Sequence, residues 1–220
     1  MRNKQLRNHW MAGLAFLLLS CAPIALASLR AGQNAWLGQA RGFINPATGS
    51  AQVAGYFVFV EDVRGPFFSG NPDEATAFLT FRSDTLSLSP PIANSPDVSA
   101  TMISPGTFTV YFNSTPGGNF ASLDSFSSGK PIATFLRSTG MITSVVGSTG
   151  TATFSAKLIS SQDFVFQGQT VNFGKLVPNG VTILITTSNN FVGGTAAFPI
   201  AQPFTFSAIA LGTESDSDEQ

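Results

Sequence analysis

Gln52-Val53-Ala54-Gly55-Tyr56-Phe57-Val58-Phe59-Val60 joins β-branched, aromatic and small side chains in an unbroken run. Such residues suit a pleated, buried surface. Period-2 alternation places Val53, Phe57 and Phe59 on one face, and Ala54, Tyr56, Val58 and Val60 on the other. Both faces are apolar, so the stretch reads as a well-buried strand.

The same period recurs on either side of it. Residues 36–44, 75–82, 107–112, 132–136 and 141–146 alternate in this way, as do 151–159, 164–166, 171–176, 181–187 and 203–211. In 107–112, for example, Phe108, Val110 and Phe112 face away from Thr107, Thr109 and Tyr111. No stretch beyond a turn or two carries apolar residues at helical spacing. Turn chemistry separates the runs at Asn45-Pro46, Gly65-Pro66, Asn71-Pro72, Pro90-Pro91, Pro116-Gly117-Gly118 and Asn179-Gly180. Residues 87–96, rich in Ser and Pro, read as a surface excursion. The fold class expected is all-β: an antiparallel sandwich or closed barrel of about ten short strands. One internal echo is visible. Ser69-Gly70-Asn71-Pro72 and Ser128-Gly129-Lys130-Pro131 each lead into a strand ending in Arg-Ser, at Arg82-Ser83 and Arg137-Ser138.

The first residues set an expected compartment. Arg2, Lys4 and Arg7 precede an apolar run that ends in Ala25-Leu26-Ala27, the pattern of a cleaved secretory signal peptide over 1–27. Within it, Leu18-Leu19-Ser20-Cys21 resembles a bacterial lipobox, which makes Cys21 a candidate for lipidation. The expected division is therefore a signal peptide at 1–27, one all-β domain at 28–212 and a disordered acidic tail at 213–220. The expected location is secreted, extracellular or periplasmic. The alternative is an outer-membrane lipoprotein anchored through Cys21, and no transmembrane span is expected once the signal is removed.

Removing 1–27 takes three of the 11 cations and leaves 8 against 12 acids, a net charge of −4. This balance offers no basic footprint for nucleic acid. The only Cys and the only His leave as well. The remainder has no Ser-His-Asp triad, no thiol nucleophile and no imidazole proton shuttle. The usual ligands of zinc, copper, haem and iron–sulfur centres are missing too. No phosphate-cradling glycine motif is present. Carboxylate chemistry, oxygen-ligand cation binding or no catalysis remain, and no cofactor is expected.

Glu61-Asp62 is the most noticeable acidic pair, but neighbours on an extended chain point to opposite faces and cannot act as a glycosidase pair with each other. Asp73-Glu74 supplies only two adjacent acids, short of a calcium shell, and reads as a polar turn. Trp36, Tyr56 and Tyr111 are the candidate ligand-binding residues, as a sugar-stacking surface, while the many Phe would fill the core or line an apolar cavity. Asn113-Ser114-Thr115 is a glycosylation sequon on an expected turn.

These features favour a secreted, non-catalytic β domain with a structural or surface-interaction role. The alternatives are a β-barrel holding a small apolar ligand and a carboxylate-based glycan-acting enzyme. An outer-membrane barrel fits less well, because aromatic girdles are missing. Partners would be a protein, a glycan or a small apolar molecule.

Overall fold

A computed structural model describes residues 28–146, 149–188 and 190–212. The cleavage motif, Cys21 and the acidic 213–220 segment lie outside the described residues. The strands are β1 (Asn34–Asn45), β2 (Ser50–Val60), β3 (Leu79–Ser83), β4 (Leu86–Ser87), β5 (Ile92–Ala93), β6 (Val98–Ile103), β7 (Gly106–Phe112), β8 (Lys130–Arg137), β9 (Gly140–Val145), β10 (Gly150–Ser161), β11 (Phe164–Phe166), β12 (Gln169–Val171), β13 (Val181–Thr187), β14 (Val192–Gly193) and β15 (Ile200–Ala210). A 3-10 helix (Leu123–Ser127) and a one-turn helix α1 (Phe173–Leu176) complete the described elements.

Eight antiparallel strands close on themselves in the order β13-β15-β1-β2-β3-β7-β8-β10, with β10 pairing back to β13. Of the two architectures expected, the chain therefore adopts the closed barrel. Closure leaves no edge strand along this circuit, which a sandwich would have to protect. Trp36, Phe57, Phe81, Phe135 and Phe206 pack together inside. The Trp36 ring meets Phe57, Phe135 and Phe173 edge-on at 5.8, 5.6 and 5.6 Å between centroids. Phe108 stacks on Phe135 at 5.0 Å. Such rings fit only because the facing wall is thin. A Cβ on Gly38 would fall 2.3 Å from Phe206 Cζ, so this strand position must be glycine.

Outward-facing residues are largely Thr, Ser and Gln, such as Gln39, Thr186 and Thr205, which is the reverse of a barrel with a lipid-facing exterior. A second cluster covers the outside of β1, β2 and β3. There Phe43, Tyr56 and Phe120 pack with Leu123 and Phe126 of the 3-10 helix and Ala77 of the 61–78 connection.

One end of the barrel is plugged. The β11–β12 hairpin turns at Gln167-Gly168, both with positive φ (49° and 80°), the backbone of a tight primed turn. It leads into α1, capped by the Asn172 side chain accepting from Gly174 N. That helix drives Phe173, fully buried, against Trp36. The other end is roofed by a ribbon. The β6–β9 pairing continues the β7–β8 register without a slip, from Val98↔Val145 through Ile103↔Gly140 to Gly106↔Arg137. The ribbon is interrupted only at Ser104-Pro105 opposite Ser138-Thr139, where Pro105 cannot donate to the ladder.

Four local expectations need correction. A bulge between β1 and β2 at Leu37/Gly38 brings Val60, not Phe59, to the inner face, and Phe59 is exposed. Residues 75–78 belong to a loop held by the Phe68↔Ala77 bridge, so β3 begins only at Leu79. Within 171–176, Phe173–Leu176 is the helical plug, because Asn172 caps it rather than extending the strand. Finally, Val98–Ile103 is a strand that weak alternation concealed. With β6 and the two-residue strands β4, β5 and β14 added to the expected runs, the described strands number fifteen.

Candidate functional site

The open half of the barrel, between the β1–β2 turn and the roof, encloses a cavity of about 90 Å³. Its walls come from alternate residues of the barrel strands, including Val53, Phe81, Phe108, Ala152, Phe154, Ile185 and Phe204, and Trp36 and Phe57 form the floor. Leu86, Leu88, Ile103 and Ile142 close it from above. Small residues on the wall make this space. At Gly42 an added Cβ would meet only Phe204 Cε1, at 3.8 Å.

Ser83, Arg137, Thr187 and Gln202 are the polar members of the lining. Three are engaged with neighbouring protein. Ser83 Oγ accepts from Val53 N at 2.9 Å and donates to Asp84 O at 2.8 Å. The Gln202 amide donates to Thr187 Oγ1 and Ser188 O at 3.3 and 3.1 Å. Arg137 differs. It is 5% exposed, its Nη2 donates to Ser104 O, and its guanidinium lies 5.0 Å over the Phe154 ring. Its Nε has no partner, the one buried side-chain polar atom so placed among the described residues. The one ion pair among the described residues joins Arg82 to Asp124, outside the barrel. Burial pushes the Arg137 titration down from its ordinary value to about 10, so at neutral pH the group remains a cation.

Local parity explains this placement. Along β8 the inner positions are Ala133, Phe135 and Arg137, opposite Val110, Phe108 and Gly106 of β7. Leu136, between Phe135 and Arg137, is 45% exposed. Sequence reading did not single out Arg137, although its parity with Phe135 is a legible signal. Apolar residues on both faces of 132–136 hid which side was the interior.

A second, wider trough of about 470 Å³ lies outside the barrel, bordered by Gln39, Arg41, Tyr56, Glu74, Thr186 and Thr205. Tyr56 donates to Gln39 Oε1 at 2.9 Å, and Arg41 sits 4.2 Å over Phe120. Burial, then the charges of Glu74 and Asp73, raise the Tyr56 phenol above its ordinary value, against an opposing pull from Arg41.

The three aromatic candidates do not share one surface. Trp36 faces the interior, at 1% exposure. Tyr56 and Tyr111 lie on the outer face, on either side of Thr80. Among the acids, Asp73 Oδ1 accepts from Thr76 N at 2.9 Å, and none of Glu61, Asp62, Asp73 and Glu74 lines the inner cavity. Asn113, the sequon residue, is buried: it donates to Thr80 Oγ1 at 2.9 Å and accepts from Ser128 Oγ at 3.4 Å. In the folded chain its amide nitrogen does not face solvent.

No protein-family model, curated protein sequence or solved structure matches the chain.

Proposed function

We propose that this barrel is a non-catalytic carrier or sensor of a small apolar molecule, held in the roofed half of its interior. The observation that carries the reading is the cavity itself, an apolar space inside a fold otherwise packed with aromatic rings. Protein interiors are close-packed, and a core with this many Phe side chains would close such a space if packing were its only purpose. An engineered apolar cavity of about 150 Å³ stays dry and takes up benzene. A space of about 90 Å³ suits a somewhat smaller body, or a longer one that displaces the roof.

A surface-interaction role has narrower support. Leu184, Leu37 and Phe59 lie in register across β13, β1 and β2, with Ser207 of β15 between Leu184 and Leu37, and are about 40% exposed. Three half-exposed side chains fall well short of the roughly 800 Å² per partner of a stable interface. The carboxylate-enzyme reading has no acid in the cavity to work with.

Native mass spectrometry of protein purified from its own source tests the proposal. A small molecule released on denaturation, and absent from a Gly42→Val variant whose cavity is filled, is the expected result. Bare protein in both cases, with no small apolar compound raising the melting temperature, would overturn it.

A further inference from the structure

We propose that the cavity takes a small monocarboxylate, with the carboxylate on the Arg137 guanidinium and the hydrocarbon body on the aromatic floor. This rests on the reading of the barrel as a binder of small molecules and names the ligand's chemistry. Arg137 is 95% buried in an apolar lining, and no carboxylate of the described chain pairs with it. A guanidinium has five N–H donors in a rigid fork. Here Nη2 donates to Ser104 O and Nε is left over. An isolated charge in apolar surroundings is expensive, and chains normally pair or expel it. Strand parity turns Arg137 inward at the end of β8, whereas Arg82, one residue before the end of β3, has its side chain outside, on Asp124. A carboxylate supplies the missing charge and a planar pair of acceptors matching the fork.

The same inventory argues against a phosphate. A dianion needs more than one cation or several spare donors. The Ser83 hydroxyl and the Gln202 amide already donate to protein oxygens. One cation, with Nε–H among the donors its protein partners leave over, suits a single negative charge. The depressed titration of Arg137 is consistent with a desolvated cation lacking its counter-ion. The size of the cavity, below that of one that takes benzene, favours the shortest acids, of the order of C3 to C4, over a long-chain lipid.

Titration calorimetry on the full chain tests this with a homologous series, propionate to octanoate, against 1-alkanols of matched length. The expected result is that the acids bind at least tenfold more tightly than the alcohols, as a charge-assisted bond predicts. Arg137→Met should erase that preference, and Arg137→Lys should restore part of it. Gly42→Val, which keeps Arg137 and fills the space, should abolish binding of both series, and it serves if Arg137→Met does not fold. Equal affinity of acids and alcohols for the wild type would overturn the carboxylate inference while leaving the barrel reading standing. So would undiminished acid binding by Arg137→Met. Failure of both series to bind the wild type would overturn both.

Discussion

Arg137 and Asn113 show how differently a buried polar group behaves with and without partners. Asn113 bridges Thr80 and Ser128, and Thr80 Oγ1 in turn donates to Phe126 O at 2.7 Å, tying β3 to the 3-10 helix. Removing one member of a satisfied buried network strands the others. Asn113→Ala is therefore expected to destabilise the fold by about 1–3 kcal/mol, read as a shift in denaturant midpoint. Arg137 is the opposite case, because the unliganded barrel carries its charge unpaired. Replacing such a charge with an apolar side chain of similar length removes its desolvation penalty where packing permits. Arg137→Met should accordingly raise the melting temperature of ligand-free protein, and a fall would mean that its Ser104 bond and Phe154 contact outweigh the buried charge. Tyr56 gives a third test. Its folded pKa is raised above the unfolded value of 10.0, so its contribution is fully present below pH 10 and is lost as pH rises through the folded value. In a Tyr111→Phe variant Tyr56 is the only tyrosine, and ultraviolet titration should place its ionisation above 10.0 in the native state and lower in denaturant.

Among the elements, α1 and the roof ribbon divide the labour of closing the barrel. The plug is rigid by construction: Phe173 touches Trp36, Phe57, Phe135 and Phe164, each within 6.4 Å between centroids. Phe173→Ala leaves a hole beneath the floor of the cavity and should cost about 3–5 kcal/mol, measured by equilibrium unfolding. The roof is built more lightly. Ile92 of β5 is 59% exposed and Met141 of β9 is 46% exposed. Few buried contacts restrain this ribbon, so amide exchange in β5 and β6 should be faster than in β1 and β15, whose pairing runs from Trp36↔Ala208 to Ile44↔Ile200. Exchange in the ribbon as slow as in β1 would show a fixed roof. The barrel strands were for the most part legible from alternation, since Val, Phe and Thr at period 2 describe a pleat whatever its neighbours. The helical plug and the β6 strand were not. Asn172 caps in one context and extends in another, and Val98-Ser99-Ala100-Thr101 lacks the large apolar residues that mark a buried face.

For the molecule as a whole, stability and binding should oppose each other through the space above Trp36. Gly42 lies in β1 where a side chain has room, and a β-branched residue there favours the strand by about 1 kcal/mol besides filling the void. Gly42→Val should thus raise the melting temperature while it removes ligand uptake, a pairing of effects that a purely structural void does not predict. By itself the sequence determined that the chain is all-β, where most of the barrel strands run, and that His and Cys chemistry is absent beyond residue 27. Those properties are local: propensity, period and composition need no knowledge of the partner strand. Only the tertiary structure decided between sandwich and barrel, because closure depends on β10 meeting β13 across the whole chain. It also decided the fate of the two Arg-Ser strand ends. Arg82 falls beside Thr109 on the outer face and Arg137 beside Gly106 on the inner one. In a strand of period two, a shift of one residue against the neighbour is enough to move a charge from solvent into the core.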